Sequence, residues 1–159
     1  MTLGTSILVV DDDAQIRKGF SEILGNEGYL IQTAKNGKQA TDLTKKFHFD
    51  VALVDIGLPD ISGIELLQRL KYFQPRIITI MVTGSSAIDD AINAVNKGTN
   101  GYILKPVKPK KLIELIENFL REKTTREIRD WINNKKTNKT QTDFSVRIDD
   151  PKKAPKTPW

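Results

Sequence analysis

Val51-Ala-Leu-Val-Asp55-Ile-Gly-Leu-Pro-Asp-Ile-Ser-Gly63 decides the reading of this chain. Four apolar residues run straight into one aspartate, and a loop punctuated by Gly57, Pro59, Asp60 and Gly63 follows at once. An apolar run of this length between turn residues reads as a strand buried on both faces. Asp55 then stands at its carboxyl end, where open α/β sheets place their ligand sites. A carboxylate in such a place needs a partner, because burying an unpaired charge is costly.

The surrounding sequence repeats the pattern. Ser6-Ile-Leu-Val-Val10 is a first apolar run and ends in Asp11-Asp12-Asp13. Ile16, Phe20, Ile23 and Leu24 follow at helical spacing and are closed by Gly25 and Gly28. Tyr29–Ala34 reads as a second strand, and Ala40, Leu43 and Phe47 mark a second helix. After the Val51–Val54 strand, Ile64, Leu67 and Leu70 mark a third helix. Arg76–Val82 reads as a fourth strand, ending in Thr83-Gly84-Ser85-Ser86. Ile88, Ala91, Ile92 and Val95 give a fourth helix, Gly101–Leu104 a fifth strand ending at Lys105-Pro106, and Pro109 opens a fifth helix.

Five alternations of strand and helix imply an α/β fold, a doubly wound parallel sheet covered on both faces. The flavodoxin-like order 2-1-3-4-5 is the expected topology, with five helices and a basic C-terminal tail. Its switch point lies between strands one and three, the two strands that end in aspartates. Asp11, Asp12 and Asp55 therefore meet at one sheet edge, with Thr83 and Lys105 from strands four and five. Two carboxylates about 5 Å apart repel by roughly 3 kcal/mol at an effective dielectric of about 20. Three would need a cation, and an all-oxygen donor set suits Mg²⁺ or Mn²⁺. The lysine and the threonine hydroxyl suit phosphate oxygens. The set points to phosphoryl transfer, with Asp55 as the nucleophile and the Asp11–Asp12 pair as metal holders. Asp13 reads separately, as the N-cap of the first helix.

Composition narrows the alternatives. The chain has 159 residues, no cysteine and one histidine, His48, so thiolate chemistry is excluded and histidine-based catalysis is poorly supplied. His48 reads as a packing or surface residue. No apolar run approaches the roughly 20 residues of a membrane span, and a soluble cytoplasmic protein is the expectation. From Lys123 onward ten Lys/Arg face five Asp/Glu, which leaves fifteen of each in residues 1–122. The whole net charge of +5 thus belongs to the tail, and nucleic acid is not an expected partner of the body.

The quoted segments, with Met81-Val-Thr-Gly84 and Gly101-Tyr-Ile-Leu-Lys-Pro106, resemble the receiver domain of two-component response regulators, the chemotaxis-regulator-like fold. The resemblance covers residues 5–122. It implies that Asp55 accepts phosphate from a sensor histidine kinase or phosphotransfer protein. It implies a Mg²⁺ site made by Asp11, Asp12, Asp55 and the Gly57 backbone carbonyl. Thr83 and Lys105 would contact the phosphoryl group, and Tyr102 would be the aromatic switch that moves when Thr83 does. Lys105-Pro106 would be cis. The face of helix four, strand five and helix five would then control an output protein, or pair with a second copy as a dimer. Gly57 and Ser85, two beyond Asp55 and Thr83, are small where rapidly hydrolysing members carry larger polar groups, which implies a phosphoryl lifetime of minutes or longer.

Three readings complete the expectation. Lys108, Lys110 and Lys111 read as a solvated run, with docking to an acidic partner as the sharper alternative. Residues 123–136 read as an extension of the last helix, broken or frayed near Thr124-Thr125. Residues 137–159 read as disordered, Thr142–Ile148 pairing as a strand only against a partner's edge. An unphosphorylated scaffold and a flavodoxin-like phosphohydrolase are the competing functions, Asp60 being the second acid that keeps the latter open.

Overall fold

The computed structural model describes residues 4–84 and 88–145. The chain divides into two compact units, Met1–Leu120 and Arg121–Trp159.

The first unit is the alternating α/β body. Its elements are β1 (Ser6–Val10), α1 (Ala14–Asn26), β2 (Leu30–Ala34), α2 (Gly37–Lys46) and β3 (Val51–Val54), then α3 (Gly63–Phe73), β4 (Ile78–Thr83), α4 (Ile88–Asn96), β5 (Gly101–Leu104) and the start of α5 (Pro109–Ser145). The strands form one parallel sheet in the order β2-β1-β3-β4-β5. β3 and β4 are buried along their whole length, as nearly continuous apolar runs demand; Thr79 and Thr83 are the polar residues of β4. β2 and β5 lie at the edges and are only partly covered.

Two apolar layers sandwich the sheet. On one face Leu8, Ala52 and Met81 pack against Leu66, Leu67 and Leu70 of α3 and Ala94 of α4. On the other, Ile7, Leu53 and Ile80 pack against Leu24 of α1 and Leu112 and Ile116 of α5. Alternate residues of each strand serve opposite faces, which is why almost no polar residue interrupts the central runs.

Caps fix the helix starts. The Asp13 carboxylate accepts from the N–H groups of Gln15 and Ile16, as its position before α1 suggests. Asn36 caps α2 through the Gln39 N–H, and Ser62 caps α3 through the Glu65 N–H. At α5 the Lys108 carbonyl accepts the first helical bond, from the Leu112 N–H at 3.1 Å. Lys108, Lys110 and Lys111 are all exposed.

The tail departs from expectation. α5 runs from Pro109 through Ser145 without a break at Thr124-Thr125. Residues 137–145 belong to this helix, and Thr142–Ser145 are helical rather than extended. The apolar gap after Leu120 removes packing partners, but Arg, Glu and Lys are good helix formers and keep the backbone bonds. The second unit exposes Ile128, Trp131 and Ile132. Residues 146–159, which include the end of the Thr142–Ile148 stretch, lie outside the described residues, as do Ser85 and Ser86. No helix among the described residues is long and apolar enough to cross a membrane.

A carboxylate and lysine crevice at the sheet edge

The sheet order brings the ends of β1, β3, β4 and β5 side by side. In register, Val10 pairs with Val54, Val54 with Met81 and Thr83 with Leu104. Asp11 and Asp55 are the next residues out on the central pair, and the Asp55 N–H donates to the Val10 carbonyl at 3.0 Å. Lys105 follows β5, and its N–H donates to the Thr83 carbonyl at 2.8 Å. The main chain alone therefore sets Asp11, Asp55, Thr83 and Lys105 around one opening.

The side chains close on it. Lys105 Nζ lies 2.7 Å from Asp11 Oδ2 and 3.4 Å from Asp55 Oδ2. Asp11 is 4% exposed, Asp55 12% and Lys105 21%, so the cluster is largely removed from water. Asp12, on the turn between β1 and α1, is exposed. Asp11, Asp12 and Asp55 each offer a carboxylate oxygen, and these atoms lie within 4.8 Å of one another. Such a cluster of hard oxygens is able to hold a metal ion.

Its electrostatics point the same way. Burial pushes the Asp11 carboxyl above the ordinary aspartate range, and neither the Lys105 hydrogen bond nor the Asp13 N–H fully offsets it; Asp55 adds repulsion. Burial also works against the Lys105 ammonium, but the bond and charge of Asp11 and the charge of Asp55 outweigh it and raise its pKa. One cation faces two anions, so the ammonium gains from both while Asp11 gains from one and is repelled by the other. The crevice is short of positive charge.

The loop after β3 is tightly placed. The Gly57 N–H approaches Asp55 Oδ1 at 3.3 Å, and the Gly63 N–H donates to the Ile56 carbonyl at 2.8 Å. A Cβ on Gly63 would run into the Asp55 carbonyl and lie 2.7 Å from Ile56 Cα. Only glycine lets α3 start this close to Asp55.

The other predicted residues fall as follows. Thr83 is buried at the end of β4. Tyr102 is half-buried on β5 and packs against the α3-side apolar layer; burial, then the charge of Asp90, raises its pKa. The Lys105-Pro106 bond is cis. His48 is 71% exposed and pairs with Asp50 at 3.1 Å, away from the crevice. Asp60 is not a second acid of the site. Its carboxylate accepts from the Gly37 N–H at 2.8 Å and the Lys38 N–H at 2.9 Å, at the start of α2.

Two features had no sequence signal. Arg17 of α1 donates from Nη1 to the Asp11 carbonyl at 2.8 Å. An apolar groove of about 480 Å³ runs between α1 and the loop after β5, lined by Ile16, Gly19, Phe20, Ile23, Pro106, Val107 and Lys105.

Known proteins are similar to this chain in sequence and fold. The profile of the response regulator receiver domain matches residues 7–117. "Probable transcriptional regulator ycf29" of Porphyra purpurea is 33% identical over 117 residues, covering 72% of this chain and 56% of that protein. Its counterpart in Pyropia yezoensis is 28% identical over 144 residues, 89% of this chain and 64% of that protein, a match too long to fit within the receiver. The CheY-like receiver domain protein of Methanospirillum hungatei JF-1 superposes with a TM-score of 0.75 at 36% identity, over 77% of this chain and 98% of that one. The chain thus spans between 56% and 64% of the length of the curated relatives quoted. Body, crevice and comparisons together make this chain a member of the response regulator receiver family of two-component signalling.

Proposed function

We propose that this chain is a phosphorylation-dependent switch that accepts a phosphoryl group on Asp55. The observation that carries the reading is the convergence of Asp11, Asp55 and Lys105, with the ammonium within 2.7 Å and 3.4 Å of the two carboxylates. Mg²⁺ is the cation that fits; Asp11, Asp12 and Asp55 would hold it, with the Gly57 carbonyl as a fourth protein ligand. When bound it supplies charge neutralisation for the phosphoryl oxygens and the attacking carboxylate.

The chain's own groups do the rest. An Asp55 carboxylate oxygen attacks phosphorus, the P–N bond of a partner's phosphohistidine breaks, and the imidazole leaves with the electron pair. Lys105 turns from Asp11 toward a phosphoryl oxygen. The Thr83 hydroxyl donates to another, and Tyr102 moves into the space Thr83 leaves. The phosphodonor docks in the α1 groove, since Lys105 lines the groove and also reaches Asp11 and Asp55 in the crevice. The output is a protein-binding face: Ile92 and Val95 of α4 and Leu104 of β5 are apolar yet exposed. A second copy could take that face as a dimer. The relatives are named transcriptional regulators, and a protein partner or a further domain would convey the state of this face to that end.

Asp60, with both oxygens given to the start of α2, speaks against a phosphohydrolase. The test is intact mass after incubation with acetyl phosphate and Mg²⁺. The expected result is a gain of about 80 Da, one phosphate bound as a base-labile acyl phosphate, absent from Asp55→Asn. No adduct in a protein shown to bind Mg²⁺, together with no fluorescence response to beryllofluoride, would overturn the reading.

A further inference from the structure

The turn that carries Asp11 and Asp12 is held from outside the crevice. Asp11 is fixed at four atoms, the first being its N–H, which donates to the Ala34 carbonyl of β2 at 3.1 Å. Its Oδ1 accepts from the Asp13 N–H at 2.9 Å, its Oδ2 from Lys105 at 2.7 Å, and its carbonyl from Arg17 Nη1 at 2.8 Å. Asp12 has no such ties: it is exposed, and no side-chain bond holds it among the described residues. Its aim depends on the main chain between Asp11 and Asp13. Asp13 pins one end of that turn by capping α1. At the other end the sheet bond to Ala34 holds the Asp11 N–H, and Arg17 is the side chain that holds its carbonyl.

Arg17 is an unusual choice for that task. It is half-buried, and it forms no ion pair with a described carboxylate, although three stand on the adjoining turn. Its Nη1 goes instead to a neutral carbonyl. A guanidinium close to a cation site lowers cation affinity by repulsion. Its presence there is explained if bracing the turn is worth more than the repulsion costs.

We infer that Arg17 is a positioning residue of the cation site, which fixes the Asp11 carbonyl and through it the aim of the Asp12 carboxylate. The inference rests on the Mg²⁺-dependent receiver reading. The two physical effects of Arg17 have opposite signs. Removing a bystander charge tightens cation binding, whereas removing a brace weakens it, by about tenfold or more for partners of metal ligands.

The experiment is a calorimetric Mg²⁺ titration of the full chain as parent, Arg17→Met and Arg17→Lys, with unfolding midpoints recorded in chelator. The expected result is a parent that binds Mg²⁺, an Arg17→Met variant weaker by about tenfold, and an Arg17→Lys variant that recovers most of the loss because its ammonium can still reach the carbonyl. Arg17→Gln, which keeps the helix but not the reach, supplies the comparison should Arg17→Met fail to fold. Equal or tighter binding by a folded Arg17→Met or Arg17→Gln, with the parent binding, overturns the positioning role and leaves the receiver reading intact. A parent that binds no Mg²⁺ overturns the receiver reading and this inference with it.

Discussion

Asp11 carries the largest unbalanced charge cost in the crevice. It is almost fully buried, and burial raises its pKa despite the lysine 2.7 Å away. Without a metal the ionised form is therefore a burden on the fold. Asp11→Asn keeps the shape and one acceptor oxygen, for either Lys105 or the Asp13 N–H, and removes the buried charge and its repulsion with Asp55. It should stabilise the metal-free protein by about 1 kcal/mol, or roughly 2–4 °C in midpoint, as measured by thermal unfolding in chelator. A functional site that costs stability is the ordinary pattern. This scale was unevenly legible. Asp11, Asp12, Asp55, Thr83 and Lys105 could be located because each follows an apolar strand. The true partner of Asp60 could not, since it lies 23 residues back on another element. Arg17 was invisible for a similar reason: a bond to a main-chain carbonyl six residues away leaves no pattern of residue types.

The loop between β3 and α3 is the element that joins the crevice to the rest of the body. It begins at Asp55, is pressed against the start of α3 at Gly63, and hands Asp60 to the first N–H groups of α2. A Cβ on Gly37 would run into the Ile61 side chain, so loop and helix also meet through apolar contact. The N–H donors of Gly37, Lys38 and Ile61 hold the Asp60 carboxyl below its ordinary value. A carboxylate depressed in the folded state gives stability above its unfolded pKa and loses it as pH falls through the folded one. The α2 start should therefore loosen at pH values below the ordinary aspartate range, with its Gly37 and Lys38 amides exchanging faster in hydrogen exchange. Asp60→Ala should show that faster exchange already at neutral pH. Strand existence was most readable in β1, β3 and β4, which are almost wholly apolar runs. The end of α5 was not, because an apolar gap signals lost packing and does not report whether the helix goes on.

At the scale of the whole molecule, the body is complete within its own unit. The α5 residues that close the core, Leu112 and Ile116, lie before the unit boundary at Leu120. A chain ended after Leu120 should unfold within about 2 °C of the full chain and still gain phosphate on Asp55, measured by thermal scan and intact mass. The basic charge and the exposed Ile128, Trp131 and Ile132 belong to the second unit, so their loss should change association and leave the body's chemistry alone. The strand order has one more consequence. β3 is the middle strand of five, hydrogen-bonded on both sides and buried along its length, whereas β5 is bonded on one side only. Asp55 thus hangs from the stiffest line in the protein and Tyr102 from one of its softest. A covalent change at the first does not have to deform its own support. Under the proposed phosphorylation the frame would stay still, and the displacement would be spent where the sheet has a free margin to yield.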